Sequence, residues 1–206
     1  MKKYISKVLL SIFCLLPLFT GELLLPLSAE EKWHEELLGK ENNENKKTTS
    51  KELSLLIIEA ELAIKEQRFD DLLKIRKEKL KIIERDFGEN NYLTGYAHLK
   101  VAEGYKILGR FKIAEFHYKK SLEILSKYKN KEPKALADSK NSLGLYYLDQ
   151  GIYNKAEIQL EEALKIKEKE YGQNDIKLVN TLNNLAVLYN NINLLTLSEN
   201  RYLKAL

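Results

Sequence analysis

From Glu52 onward the chain repeats one arrangement of small, turn-forming and large apolar residues every 42 positions. Ala60, Ala102, Gly144 and Ala186 share a phase, a small residue at one crowded point of each copy. In the same register Gln67, Gly109, Gly151 and Asn193 mark a tight turn, and Phe69, Phe111, Tyr153 and Leu195 open the element behind it. Leu72, Ala114, Ala156 and Ser198 follow, then Arg76, Tyr118, Leu160 and Tyr202, then Leu80, Leu122, Leu164 and Leu206. Apolar spacing within a unit is helical on both sides of the turn: Leu143, Tyr146 and Tyr147 before it, Tyr153, Ala156, Leu160, Ala163, Leu164 and Ile166 after it. Each unit therefore reads as a helix, a tight turn and a second helix. Gly88 and Gly172 end the second helices of units one and three, because glycine accepts the left-handed conformation beyond a helix C-terminus. Asn130 holds that place in unit two and is expected to take positive φ as well. Pro133 then suits the first turn of the next helix, where its missing N–H costs nothing. A self-similar period of this length signals a repeat array. The pattern predicts an all-α domain over residues 53–206, with repeats of about 53–94, 95–136, 137–178 and 179–206.

Ahead of the repeats the pattern changes twice. Lys2, Lys3 and Lys7 precede the apolar run Val8–Phe19, then Leu23–Ala29 and the acidic pair Glu30-Glu31. That order is the signature of a secretory signal peptide over 1–29, cut after Ala29 with Leu27 at the −3 position. The clean run of 12 residues is short of the roughly 20 that a spanning helix needs. Export to the periplasm or beyond is expected, the alternative being an inner-membrane anchor formed by an uncleaved signal. Phe13 before Cys14 speaks against a lipidated cysteine, so the mature chain is expected to hold no thiol for disulfides, nucleophilic catalysis or zinc. Residues 30–52 are polar, lose apolar periodicity after Leu38 and end in a Thr/Ser cluster suited to capping a helix at Leu53, which reads as a flexible spacer.

Composition changes this picture little. The net charge of +4 falls to +2 once residues 1–29 are set aside, and 29 of the 34 basic residues are Lys, the poorer partner for bidentate phosphate recognition. No nucleic-acid partner is implied. His34, His98 and His117 lack metal-ligand spacing, and His34-Glu35 fails the H-E-x-x-H pattern because Leu38 stands at its last position. His98 and His117 read as helix-surface or packing residues. There is no Gly-rich phosphate loop and no G-x-S-x-G elbow, while carboxylate pairs such as Glu161-Glu162 sit beside lysines at helical spacing. Neither an enzyme nor a cofactor is expected.

Leu143, Gly144, Tyr147, Ala156, Leu160 and Ala163 in unit three, the string Thr181–Tyr189 in unit four, and Val101, Ala102, Tyr105, Gly109, Ala114 and Tyr118 in unit two make the chain resemble a tetratricopeptide-repeat protein. The resemblance is to the 42-residue type seen in kinesin light chains and many bacterial repeat proteins. It implies a right-handed α-solenoid of about four antiparallel hairpins that binds a protein or peptide on a concave face lined by the first helices. Carried across by position, that face holds Tyr96, Leu99, Lys100 and Glu103, then Asp138, Asn141, Ser142 and Leu145, then Asn180, Asn183, Asn184 and Val187. Asparagine carboxamides such as Asn141 and Asn183 offer a donor and an acceptor to an extended peptide backbone, or equally bond the neighbouring helix. Tyr105, Tyr147 and Tyr189 read as packing between helices with the hydroxyl reaching a polar partner. Ile192, Leu194, Leu195, Leu197 and Leu203 leave an apolar C-terminal edge. Either they adapt into a terminal cap or the edge self-associates or joins an envelope complex, which is the second reading of the chain's role.

Overall fold

The structure is a computed structural model that describes residues 44–205, with side chains from Lys51 onward. The expected signal peptide, Cys14, His34 and spacer residues 30–43 lie outside the described residues. Among the described residues eight α-helices follow one another: α1 (Glu44–Lys65), α2 (Phe69–Phe87), α3 (Tyr92–Ile107), α4 (Phe111–Ser126), α5 (Pro133–Asp149), α6 (Tyr153–Tyr171), α7 (Val179–Asn191) and α8 (Leu195–Ala205), with a 3-10 turn, Ile176–Leu178, ahead of α7. Each helix packs on its neighbours in sequence, and no strand occurs among the described residues. This is an all-α solenoid of tetratricopeptide-like hairpins.

The tight turn is one geometry used four times. Gln67, Gly109, Gly151 and Asn193 all have positive φ, at 55°, 68°, 69° and 60°. The residue after each reaches back across the turn: Arg68 N–H donates to Ala63 O (2.8 Å), Arg110 to Tyr105 O (2.9 Å), Ile152 to Tyr147 O (2.8 Å) and Leu194 to Tyr189 O (2.8 Å). These six-to-one bonds satisfy carbonyls that the ending helix would orphan. The next helix starts in every case at the large apolar residue expected there.

The small residues answer to real crowding. A Cβ on Gly144 would lie 2.6 Å from Leu160 Cγ, and Ala102, Ala114, Ala156 and Ala186 are fully buried. Ala60 is the exception, only half-buried: among the described helices α1 packs on α2 alone. Three further expectations are corrected. Helix α1 begins at Glu44, so residues 44–52 are helical and the Thr48-Thr49-Ser50 cluster lies inside the helix instead of capping it. Among the described residues only Gln67 and Asn193 are non-glycines with positive φ, so Asn130 does not copy Gly88 and Gly172. There α4 stops at Ser126 and a run of turns follows, with Lys131 and Glu132 N–H groups bonded to Tyr128 O. Tyr128 ties this link to the preceding repeat by donating its hydroxyl to Asn90 O at 2.9 Å.

Candidate functional site

The first helices of successive repeats touch one another, α3 with α5 and α5 with α7, which places them on the inner side of the curve. Two polar links cross between them. Ser142 Oγ on α5 donates to Glu103 Oε1 on α3 at 3.3 Å, and Asn184 Nδ2 on α7 donates to Asn141 Oδ1 on α5 at 3.2 Å. Both links join residues assigned to the binding face, and the second is the helix-to-helix bond allowed for the asparagines. Each carboxamide of that pair keeps one further group to offer, Asn141 its NH2 and Asn184 its carbonyl. Asn183 is half-buried one residue along, roughly 100° around the helix from Asn184. Asn180 is exposed one turn before Asn184.

Tyr96 and Lys100 belong to a different part of the face. Tyr96 is buried, and Lys100 Nζ sits 5.2 Å from its ring centroid while pairing with Glu103 Oε2 at 3.2 Å. Burial pushes the Glu103 carboxyl upward, but Lys100 and Arg76 outweigh it and hold the group below its usual range. Burial likewise lowers Lys100, and the Glu103 carboxylate more than restores it, so the net shift is upward. Arg76 explains its own departure from the apolar pattern: Nη1 donates to Lys100 O at 3.0 Å and Nη2 lies 3.8 Å from Glu103, so a cation from α2 neutralises the acid on α3. The departure was legible in the sequence; its partner was not.

Below the asparagine link lies an open cleft of about 580 Å³ between the α5–α6 turn and α7. Leu145, Asn184 and Val187, three of the assigned face residues, line it together with Leu148, Tyr153 and the amides of Gln150 and Asn191. Val187 is exposed at 40% although it is flanked by the buried Ala186 and Leu188, so α7 offers an apolar contact between two carboxamides, Asn184 and Asn191. Tyr153, Gln150 and Asn191 were not assigned to the face. The turn register places Gln150 at the end of the first helix and Tyr153 at the start of the second, and only folding shows that this turn forms the wall of the cleft.

The in-phase tyrosines are buried packing residues. Tyr147 donates to Glu115 Oε1 (3.3 Å), and Tyr189 to Glu157 and Glu161 Oε1 (3.0 Å each), so the acceptors Glu115 and Glu157 are themselves in phase. Burial and these carboxylates raise both phenols. Tyr105 instead stacks on His117 at 5.5 Å. His117 in turn meets His98, Nδ1 to Nδ1 at 2.9 Å, a pairing of two buried or half-buried imidazoles that spacing alone did not reveal. Among the described residues no group of three or more metal-ligating side chains converges, and no helix is long and apolar enough to cross a membrane.

Helix hairpins stacked at a fixed period, with a face of convergent amides and a cleft along their first helices, make a tetratricopeptide-like helical solenoid. Residues 136–176 match the family described as Tetratricopeptide repeat. The fold is similar to the crystal structure of BtubC (BKLC) from P. vanneervenii, with a TM-score of 0.64 and 22% identity over 86% of this chain and 70% of that one. No curated protein matches the chain in sequence. Repeats of this class serve in general as protein-interaction scaffolds, and their fold is typically non-catalytic.

Proposed function

We propose that this chain is an exported scaffold that holds an extended segment of another protein along its first helices, seated at the cleft between α5 and α7. The observation that carries this reading is the cleft itself. Leu145 and Val187 provide an apolar floor, and Asn184 and Asn191 provide paired donors and acceptors at its edge, a chemistry suited to peptide backbone with an apolar side chain between. The basic-apolar-small order of residues 1–29 supports a periplasmic or secreted scaffold, or one anchored in the inner membrane by that segment if it stays uncleaved. The test is capture from a detergent-solubilised cell envelope on the immobilised chain, beside the Asn183→Ala/Asn184→Ala variant. A protein held by the wild type and released by the variant is the expected result, and identical sets on both remove the groove from the account.

The C-terminal edge favours a second reading, an assembly subunit. Leu194, Leu195, Leu197, Tyr202 and Leu203 are all exposed, and Ser198 is the one buried residue of α8. Contiguous exposed aliphatics of this kind mark contact surfaces. Replacing Leu203 with Glu is expected to abolish association in this case while leaving any groove ligand bound.

A further inference from the structure

We propose that copies of this chain stack head to tail, α8 of one copy receiving α1 of the next in the geometry that joins the repeats inside the chain. The inference rests on the assembly reading and names the partner as a second copy.

The junction between one repeat's second helix and the next repeat's first helix is built at fixed positions. In the first junction Arg76 of α2 donates to the backbone of Lys100 on α3. In the second, the Tyr118 and Tyr146 rings lie 5.5 Å apart, Tyr146 donates to Phe111 O at 3.1 Å, and Ser121 Oγ meets Ser139 Oγ at 2.9 Å. On the donating side the positions 111, 118 and 121 advance by 42 twice, to Leu195, Tyr202 and Ala205 on α8. Tyr118 and Ser121, and their in-phase equivalents Leu160 and Ala163, are fully buried, whereas Tyr202 is 42% exposed; Leu195 is 63% exposed, and its equivalent Phe111 is exposed as well. On the receiving side positions 139, 142 and 146 step back by 42 twice, to Leu55, Ile58 and Leu62 on α1. The equivalents Ser139, Tyr146, Thr181 and Leu188 are buried, whereas Leu55 and Leu62 are exposed at 55% and 38%; Ile58, whose equivalents Ser142 and Asn184 are half-buried, is 43% exposed.

One chain therefore carries both halves of a repeat junction, each uncovered among the described residues, with Tyr202 on one half and Leu55 and Leu62 on the other at positions that the internal junctions bury. The internal contacts fix the register of docking: Leu62 falls against Tyr202 and the backbone at Leu195, and Leu55 against Ala205. Contact of α8 with α8 would join two donating sides, an arrangement no internal junction uses. A junction between two different surfaces is heterologous and leaves a free end after each addition, so assembly is expected to grow with concentration without closing.

The experiment is sedimentation velocity of the full chain in mild detergent from about 1 to 200 µM, with Leu62→Glu, Tyr202→Glu and their equimolar mixture. Both substitutions fall on exposed side chains, and circular dichroism melts check that each variant folds; Ile58→Glu and Leu195→Glu serve where one does not. The wild type is expected to form a ladder of oligomers, each variant alone to weaken association at least about tenfold, and the mixture to regain dimers that grow no further, since each dimer joins the intact α8 of one variant to the intact α1 of the other. A wild type that stays monomeric overturns both the assembly reading and the stacking. Assembly lost in Tyr202→Glu but retained in Leu62→Glu leaves the assembly reading standing and overturns the stacking, as does an oligomer indifferent to both.

Discussion

At the level of single residues, phase is a tool for finding what a side chain lacks. Ser121 and Ser139 satisfy each other across the second repeat junction. One period on, the pair is Ala163 and Thr181, and Thr181 Oγ1 is buried with no hydrogen-bond partner. A buried hydroxyl without a partner costs about 1–3 kcal/mol, and a new bond between neutral groups adds about 1 kcal/mol. Ala163→Ser is therefore expected to stabilise the chain by about 1 kcal/mol, read as a higher urea midpoint at unchanged slope, and a midpoint that falls would show that the extra oxygen is not accommodated. The position was visible in the sequence as a recurring small residue, but its meaning depended on which helix lies opposite, and that is not a property of either residue alone.

Between helices, the hairpin of α3 and α4 is pinned by two imidazoles. Burial pushes His98 down to about 4, with the neighbouring His117 charge and Lys120 adding to it and Glu123 opposing; burial also lowers His117, with Lys77 of α2 contributing. Glu84 of α2 approaches His98 Nε2 at 3.7 Å, and the Tyr105 ring covers His117. The Nδ1-to-Nδ1 bond needs one donor and one acceptor, so it is lost when both rings are protonated. With a folded-state value below the ordinary 6.5, the unfolded chain binds more protons between those limits, so stability is full above about pH 6.5 and falls as pH drops toward 4. The expected loss is on the order of 2 kcal/mol, discounted for coupling within the pair. His98→Leu, which installs the residue found in phase at Leu56 and Leu182, is expected to flatten the profile of Tm against pH between 4 and 6.5; an unchanged slope would place the titration elsewhere. Elements were the most legible scale. All four tight turns and the helix starts behind them follow from Gln67, Gly109, Gly151 and Asn193 with the apolar residue two positions on, because the turn is closed by local bonds. The end of α4 was misread because Tyr128 fastens that link to Asn90, a contact made 38 residues away. The same limit applies to the candidate site: the face residues on α5 and α7 were carried across from the family resemblance by repeat position, whereas the Asn141–Asn184 link, the cleft wall from the α5–α6 turn and the Arg76–Glu103 pair needed the stacking of neighbours.

Over the described residues as a whole, every junction joins repeats that are neighbours in sequence, so stability there is a sum of hairpin terms and junction terms with no contact between α1 and α8. Inner helices have partners on both sides. Among the described helices α8 packs chiefly on α7, holds only Ser198 buried, and is tied back to α6 through Arg201 to Glu161 and through Lys204 to Glu168, bonds that lie at or near the surface. Local opening follows the local density of buried contacts. Amide exchange on dilute chain is therefore expected to be slowest in α3 to α6 and fastest in α8, with α7 between them because its N-terminal half rests on α6. The same measurement repeated at high concentration separates an isolated end from a receiving one. If α8 seats α1 of another copy, protection rises with concentration in α8 and α1 together and leaves α3 to α6 unchanged. A rise in α8 without α1, or no rise in either, would show that the exposed Tyr202 face is not filled by a second chain.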